Sequence, residues 1–168
     1  MSKTATYSLI ASQTLGSANT TITFSSIPAT FTDLVLVMNA KASTGTPSIA
    51  MRFNGDNGTN YSWTALVGNG TAASSSRATS TANNWVSALL NGVSSTNFNS
   101  GTIQIMDYAN TTTYKTALSR WAGADYEVDA ICNLWRSTIA INQVSLIAQS
   151  NLVAGSNFKL YGIQAGSN

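Results

Sequence analysis

Apolar and polar residues alternate along most of this chain with a period of two, the spacing of a strand that buries one face. Thr6–Leu15 opens with this alternation. Thr20–Ser25 follows the turn Gly16-Ser17-Ala18-Asn19 and places Ile22 and Phe24 on one side. Ile27-Pro28 ends that run, because proline has no N–H to give to a ladder. Asp33–Ala42 breaks the alternation: Leu34-Val35-Leu36-Val37-Met38 is apolar on both faces, so something is expected to cover each side. Ser48–Asn54 alternates again, with Ile49, Met51 and Phe53 opposite Arg52, and Asn54-Gly55-Asp56-Asn57-Gly58 is a dense turn signal.

The middle of the chain reads less clearly. Tyr61–Val67 fits a strand or a helical turn, and Trp85–Leu90 is equally ambiguous. Between them Gly68–Asn83, made of Gly, Ala, Ser and Thr, reads as a long loop, either functional, mobile or ordered by a partner. After Gly92–Gly101 the signals sharpen. Thr102–Ala109, Tyr114–Ala122, Tyr126–Ser137, Ile141–Ser150 and Asn157–Gln164 read as strands joined by short turns. No window sustains the helical spacing. About eight to ten strands at this spacing predict an all-β fold, an antiparallel β-sandwich of jelly-roll type. The chain reads as a single domain over residues 1–168 with a short N-terminal arm over residues 1–6.

One hairpin allows a register to be written. If Gly123-Ala124 is a two-residue turn, Arg120 faces Glu127 and Trp121 faces Tyr126. Trp121, Tyr126, Val128, Ala130, Cys132 and Leu134 then share the core face. Arg120, Asp125, Glu127 and Asp129 share the other, with Trp135 beyond them.

Composition narrows the chemistry. Only 8% of the residues are charged and there is no histidine, while 43% are hydrophobic; an ordinary globular domain is roughly 25% charged. The net charge is +2, from eight basic residues scattered along the chain, so no nucleic-acid face is expected. Met1–Gln13 builds no apolar signal core, and Leu34–Met38, the longest apolar run, is too short to span a bilayer. The expectation is a soluble protein made in a cytoplasm. Sequons such as Asn57-Gly58-Thr59 are expected by chance in so Asn- and Thr-rich a chain.

Catalytic candidates are few. Asp125, Glu127 and Asp129 form the only acidic cluster, which reads either as a carboxylate pair for glycoside hydrolysis, as a calcium site, or as a solvated or subunit-facing strip balanced by Arg120. The loop Asn54–Asn60 carries one carboxylate, Asp56, too few for calcium, so a tight turn is expected. The single cysteine, Cys132, has no histidine to activate it and falls on the expected core face. Trp135, with Trp63 and Tyr61, is a candidate interface or sugar-stacking surface. No cofactor is implied.

Three stretches carry a resemblance: SIPATFTDLVLVMNAKAS, IAMRFNGDNGTNYSWTALVGNG and CNLWRSTIAINQVSLIAQSNLVAGSNFKLYGI. Together, over roughly residues 22–163, they resemble tailed-bacteriophage virion structural proteins, particularly those of cyanobacterial phages. The small chain with neither heptads nor a shaft is most similar to a capsid cement or decoration protein. The resemblance implies a non-enzymatic subunit, a homo-oligomer of trimer type, seated on the outer surface of the major capsid protein lattice. The alternative is a tail-fibre or tail-associated module that binds a host glycan, and a glycan hydrolase using Asp125, Glu127 or Asp129 is a third reading.

Overall fold

The computed structural model describes residues 6–87, 92–123 and 127–164. Within them the chain is all-β, with twelve strands in two antiparallel sheets. The strands are β1 (Tyr7–Thr14), β2 (Asn19–Phe24), β3 (Asp33–Ala40), β4 (Ile49–Phe53), β5 (Tyr61–Gly68) and β6 (Ala73–Thr81). β7 (Asn84–Trp85), β8 (Asn99–Met106), β9 (Lys115–Gly123), β10 (Glu127–Trp135), β11 (Val144–Leu152) and β12 (Asn157–Ile163) follow. One sheet runs β1-β12-β3-β8-β9-β10-β5-β6 and the other β2-β11-β4-β7, which makes a β-sandwich. Of the expected N-terminal arm only Thr6 lies within the described residues, and it is exposed.

The core lies where the smaller sheet faces part of the larger one. Leu34, Leu36 and Met38 of β3, Phe158 and Leu160 of β12, and Ile103 and Ile105 of β8 point inward. They meet Ile22, Phe24, Met51, Phe53, Val144 and Leu146 from the smaller sheet, all at or below 2% exposure. Alternation makes this possible, since each strand delivers every second side chain to one side. Trp121 on β9 lies flat over Gly101 of β8, where any Cβ would sit 2.4 Å from its ring. Glycine at 101 is therefore required by the indole, not by backbone conformation.

Several sequence expectations change. β6 occupies most of the stretch read as a long loop, and it pairs with β5 from Gly68↔Ala73 onward. A four-residue turn makes this possible: the Asn69 N–H bonds to the Ala72 carbonyl, and Asn69 Oδ1 accepts from the N–H groups of Thr71 and Ala72. Such side-chain capping of a turn is what asparagine does well, and Gly70 takes the positive φ of +82°. The region read as Trp85–Leu90 contributes only the two-residue β7, and residues 88–91 lie outside the described residues. β11 begins three residues later than expected, at Val144.

The largest correction concerns the β9–β10 hairpin. Gly123 pairs with Glu127, Trp121 with Asp129 and Arg120 with Ala130. Three residues, 124–126, separate the strand ends instead of two. A change of one in loop length moves every β10 side chain to the other face. Glu127 and Asp129 therefore point inward, at 4% and 1% exposure. Val128, Ala130 and Cys132 point outward and are exposed. Trp121 stays in the core as expected, but Arg120 stands on the face opposite the two acids. Asp125 and Tyr126 lie outside the described residues. β10 carries apolar residues on both faces, so its own pattern does not choose between registers.

Replacing Gly101 by alanine should force Trp121 to move. We expect a loss of about 1–3 kcal/mol, typical of overpacking, read as a lower urea midpoint with an unchanged m-value.

Candidate functional site

The side chains first considered as surface contacts are mostly enclosed. Tyr61 is fully buried and Trp135 is 2% exposed. Their rings stack at 6.2 Å and 15°, and Phe53 lies 5.5 Å from Trp135. The Tyr61 hydroxyl accepts from the Phe53 N–H and donates to the Asp56 carbonyl at 3.1 Å. Burial above all pushes its phenol up to about 12. Trp63 is half-buried, on β5 beside Asn133. Glu127 and Asp129 are interior, so neither forms an exposed acidic strip. Among the described residues, no group of three or more His, Cys, Asp or Glu side chains is gathered that could hold a metal.

Asp56 is the pin of the buried aromatic group. Its Oδ2 accepts from Trp135 Nε1 at 2.7 Å and from Asn60 Nδ2 at 2.9 Å, and its Oδ1 accepts from the Gly58 N–H at 2.8 Å. The loop 54–60 is thus a tight turn whose carboxylate is committed to protein donors. Burial raises the carboxyl, but these hydrogen bonds and the Arg52 charge outweigh it and hold Asp56 below the usual range. Lys115 is a buried cation, which the sequence did not single out. Its Nζ donates to the Thr113 and Thr138 carbonyls, and burial pushes the amine down.

The feature open to a partner is the outward face of the larger sheet. Strand pairing sets its side chains in rows. One row runs Lys159, Val37, Thr102, Arg120, Ala130, Leu66, Ser75 across seven strands. The next runs Leu9, Tyr161, Val35, Gln104, Leu118, Cys132, Thr64, Arg77 across all eight. Between them lies a groove of about 700 Å³, lined among others by Tyr7, Val35, Val37, Leu66, Leu118, Arg120 and Cys132. Leu66 is 64% exposed and Leu118 48%. Exposed apolar side chains gathered into one groove are a candidate contact surface.

The charge of this face has one sign through its middle. Lys159, Arg120 and Arg77 stand on it, while Glu127 and Asp129 point to the other side of the same sheet. Among the described residues, the carboxylate of Asp33 stands at the margin and accepts from Gln104 Nε2 and the Asp107 N–H. The groove offers no paired acid and base. What it can do is desolvate against an apolar surface while presenting cations to acidic groups. Of the candidate contacts that lie among the described residues, only Arg120 lines it. The missed signal was the doubly apolar strand: Val35 and Val37 are the outward half of Leu34–Met38, and Val37 is still 37% exposed.

Compared with known protein families, with curated proteins and with solved structures, the chain gives no match.

Asp56→Asn should cost about 1.5–3 kcal/mol at pH 7, the range for hydrogen bonds to a charged group. The sign follows from the lowered carboxyl. Its contribution is complete above the unfolded value near pH 4 and is lost as pH falls through the folded value. The gap between wild type and variant in urea unfolding should therefore narrow on acidification, and a gap independent of pH would contradict the assignment.

Proposed function

We propose that this chain is a non-enzymatic structural protein of a tailed-phage virion, a cement or decoration subunit on the outer surface of the capsid. Its outward sheet face would dock on the major capsid protein lattice. The observation that carries this reading is the uncovered apolar face of β3 and its neighbours. A strand apolar on both sides is normally covered on both, and here the outward side meets solvent. A partner surface would supply the missing layer.

The strand order supports the same reading. β1-β12-β3-β8 opposite β2-β11-β4-β7 resembles the strand order of a jelly roll. Two hairpins, β9–β10 and β5–β6, then extend one sheet. Jelly rolls are common in viral capsid proteins and in lectins, an analogy of fold and not of site. The glycan-binding alternative is weaker, because Tyr61 and Trp135, two of its proposed stacking platforms, are enclosed.

Magnitudes shape the expected behaviour. A fully buried Val or Leu gains about 1.5–3 kcal/mol, and these side chains are already partly covered. Several of them together roughly match the 4–15 kcal/mol cost of association. One face alone therefore binds weakly, and many copies on a repeating lattice bind well through effective concentration.

The test uses particles of the phage whose genome encodes this chain. Mass spectrometry should find it at a simple fraction of the major capsid protein, whereas a copy number typical of tail fibres would move it to the tail. Leu118→Asp buries a charge in the contact and should weaken attachment to heads at least tenfold, about 1.4 kcal/mol, without lowering Tm. Undiminished attachment would remove this face from the contact.

A further inference from the structure

We infer that β6 is an assembly edge, and that Ala73–Thr79 pairs antiparallel with the same strand of a second copy. The inference deepens the structural reading above by naming the self-contact, but it concerns the free protein and needs no capsid.

β6 is anomalous within its own sheet. Its nine residues are exposed apart from Ala78 and Thr81, so it brings almost nothing to the core. It hydrogen-bonds to β5 on one side, and among the described residues no strand pairs with the other. No strand of the second sheet packs against β6 as closely as β7 packs against β5 and β10. A two-stranded hairpin on its own is marginal in water, and among the described residues β6 has only its ladder with β5. Yet the turn Asn69–Ala72 is well capped and the pairing with β5 is regular from Gly68↔Ala73 to Ser62↔Thr79.

Folded proteins usually guard an open edge with proline, lysine, a bulge or shortness. Two of the three other edges, β1 and β7, follow that rule; the third, β2, has no proline or lysine, and Gln13 Nε2 donates to its Thr23 carbonyl. β1 is interrupted by a bulge between Leu9 and Ala11, and β7 is two residues long. β6 has neither proline nor lysine, and its irregularity falls at the far end, beside Tyr61 and Ser62. A regular run of unpaired N–H and C=O groups is what another strand needs.

A second copy fits that edge. The pairing that uses the whole regular stretch is centred on Ser76, so that Ser76 meets Ser76, Arg77 meets Ser75 and Ala73 meets Thr79. The side chains brought together are hydroxyls and methyls. The single charge, Arg77, avoids its own mate, and the two guanidinium stems become diagonal neighbours at about 7–8 Å. Their repulsion is exposed and screened by salt. About seven new backbone hydrogen bonds, each worth roughly 0.5–1.5 kcal/mol net, stand against the 4–15 kcal/mol cost of association. The free dimer is therefore weak, and its two-fold axis makes each contact reciprocal.

Sedimentation of the purified full chain tests this. The wild type should pass from monomer to dimer with rising concentration. Arg77→Ser should tighten the dimer several-fold without altering Tm. In a Cys132→Ser background, Ser76→Cys should give a disulfide-linked dimer on mild oxidation, because directly opposed Cα atoms at about 4.5–5.5 Å suit a disulfide. A strict monomer at millimolar concentration, a trimer unaffected by Arg77→Ser, or no cross-link at Ser76 in a dimerising protein would overturn the inference. Dimerisation with no attachment to heads would leave this edge standing and sink the capsid reading instead.

Discussion

The pairing of Trp121 with Asp129 is the constraint on which the rest depends. It fixes the parity of β10, and through the β10–β5 ladder it fixes the parity of the β5–β6 hairpin as well. With Trp121 held over Gly101, the indole cannot leave the interior, so Asp129, Ile131, Asn133 and Trp135 must enter with it. Burying carboxylates is costly unless they are partnered, and both Glu127 and Asp129 do make contacts with other groups. The gain is the enclosure of two tryptophans and an isoleucine. The consequence is that Glu127 and Asp129 stand on the inner side of this sheet while Arg120, Leu118 and Leu66 stand on the outer.

Much of the architecture was legible in the chain itself. Period-two alternation located β1, β2, β4, β9, β10 and β12 closely, because each packs one face against a core; β3 was read from its doubly apolar run, and β8 and β11 were found with starts displaced by three residues. β6 was not legible, since its side chains bury nothing and leave no alternation to read. The hairpin register failed for a related reason. Val128, Ala130, Cys132 and Leu134 form as apolar a row as the true inward one, and the loop length that decides between them carries no hydrophobic signal. Trp135 could be placed on the acidic side of the strand, but not on the buried side of the sheet.

The contact surface was visible only as an excess. Five consecutive apolar residues at Leu34–Met38 are more than one covered face requires. The surplus, Val35 and Val37, becomes interpretable once Leu118 and Leu66 are seen beside it across the ladders. The two inserted hairpins lengthen the larger sheet to eight strands against the four of the smaller. Groove and open edge both arise from this mismatch of four strands against eight.

The position of β12 between β1 and β3 has a temporal meaning. A strand near the N-terminus finds its only sheet partner in the last strand described, about 140 residues later, which at a translation rate of roughly 5–20 residues per second is several seconds to half a minute. Until β12 is released, β1 lacks a neighbour and β3 keeps an open flank on the ribosome. Nascent chains on one message would hold these unmatched strands close together. Low net charge gives little protection against mispairing in that interval, so yield on expression should depend on the speed of synthesis more than on the stability of the finished sandwich.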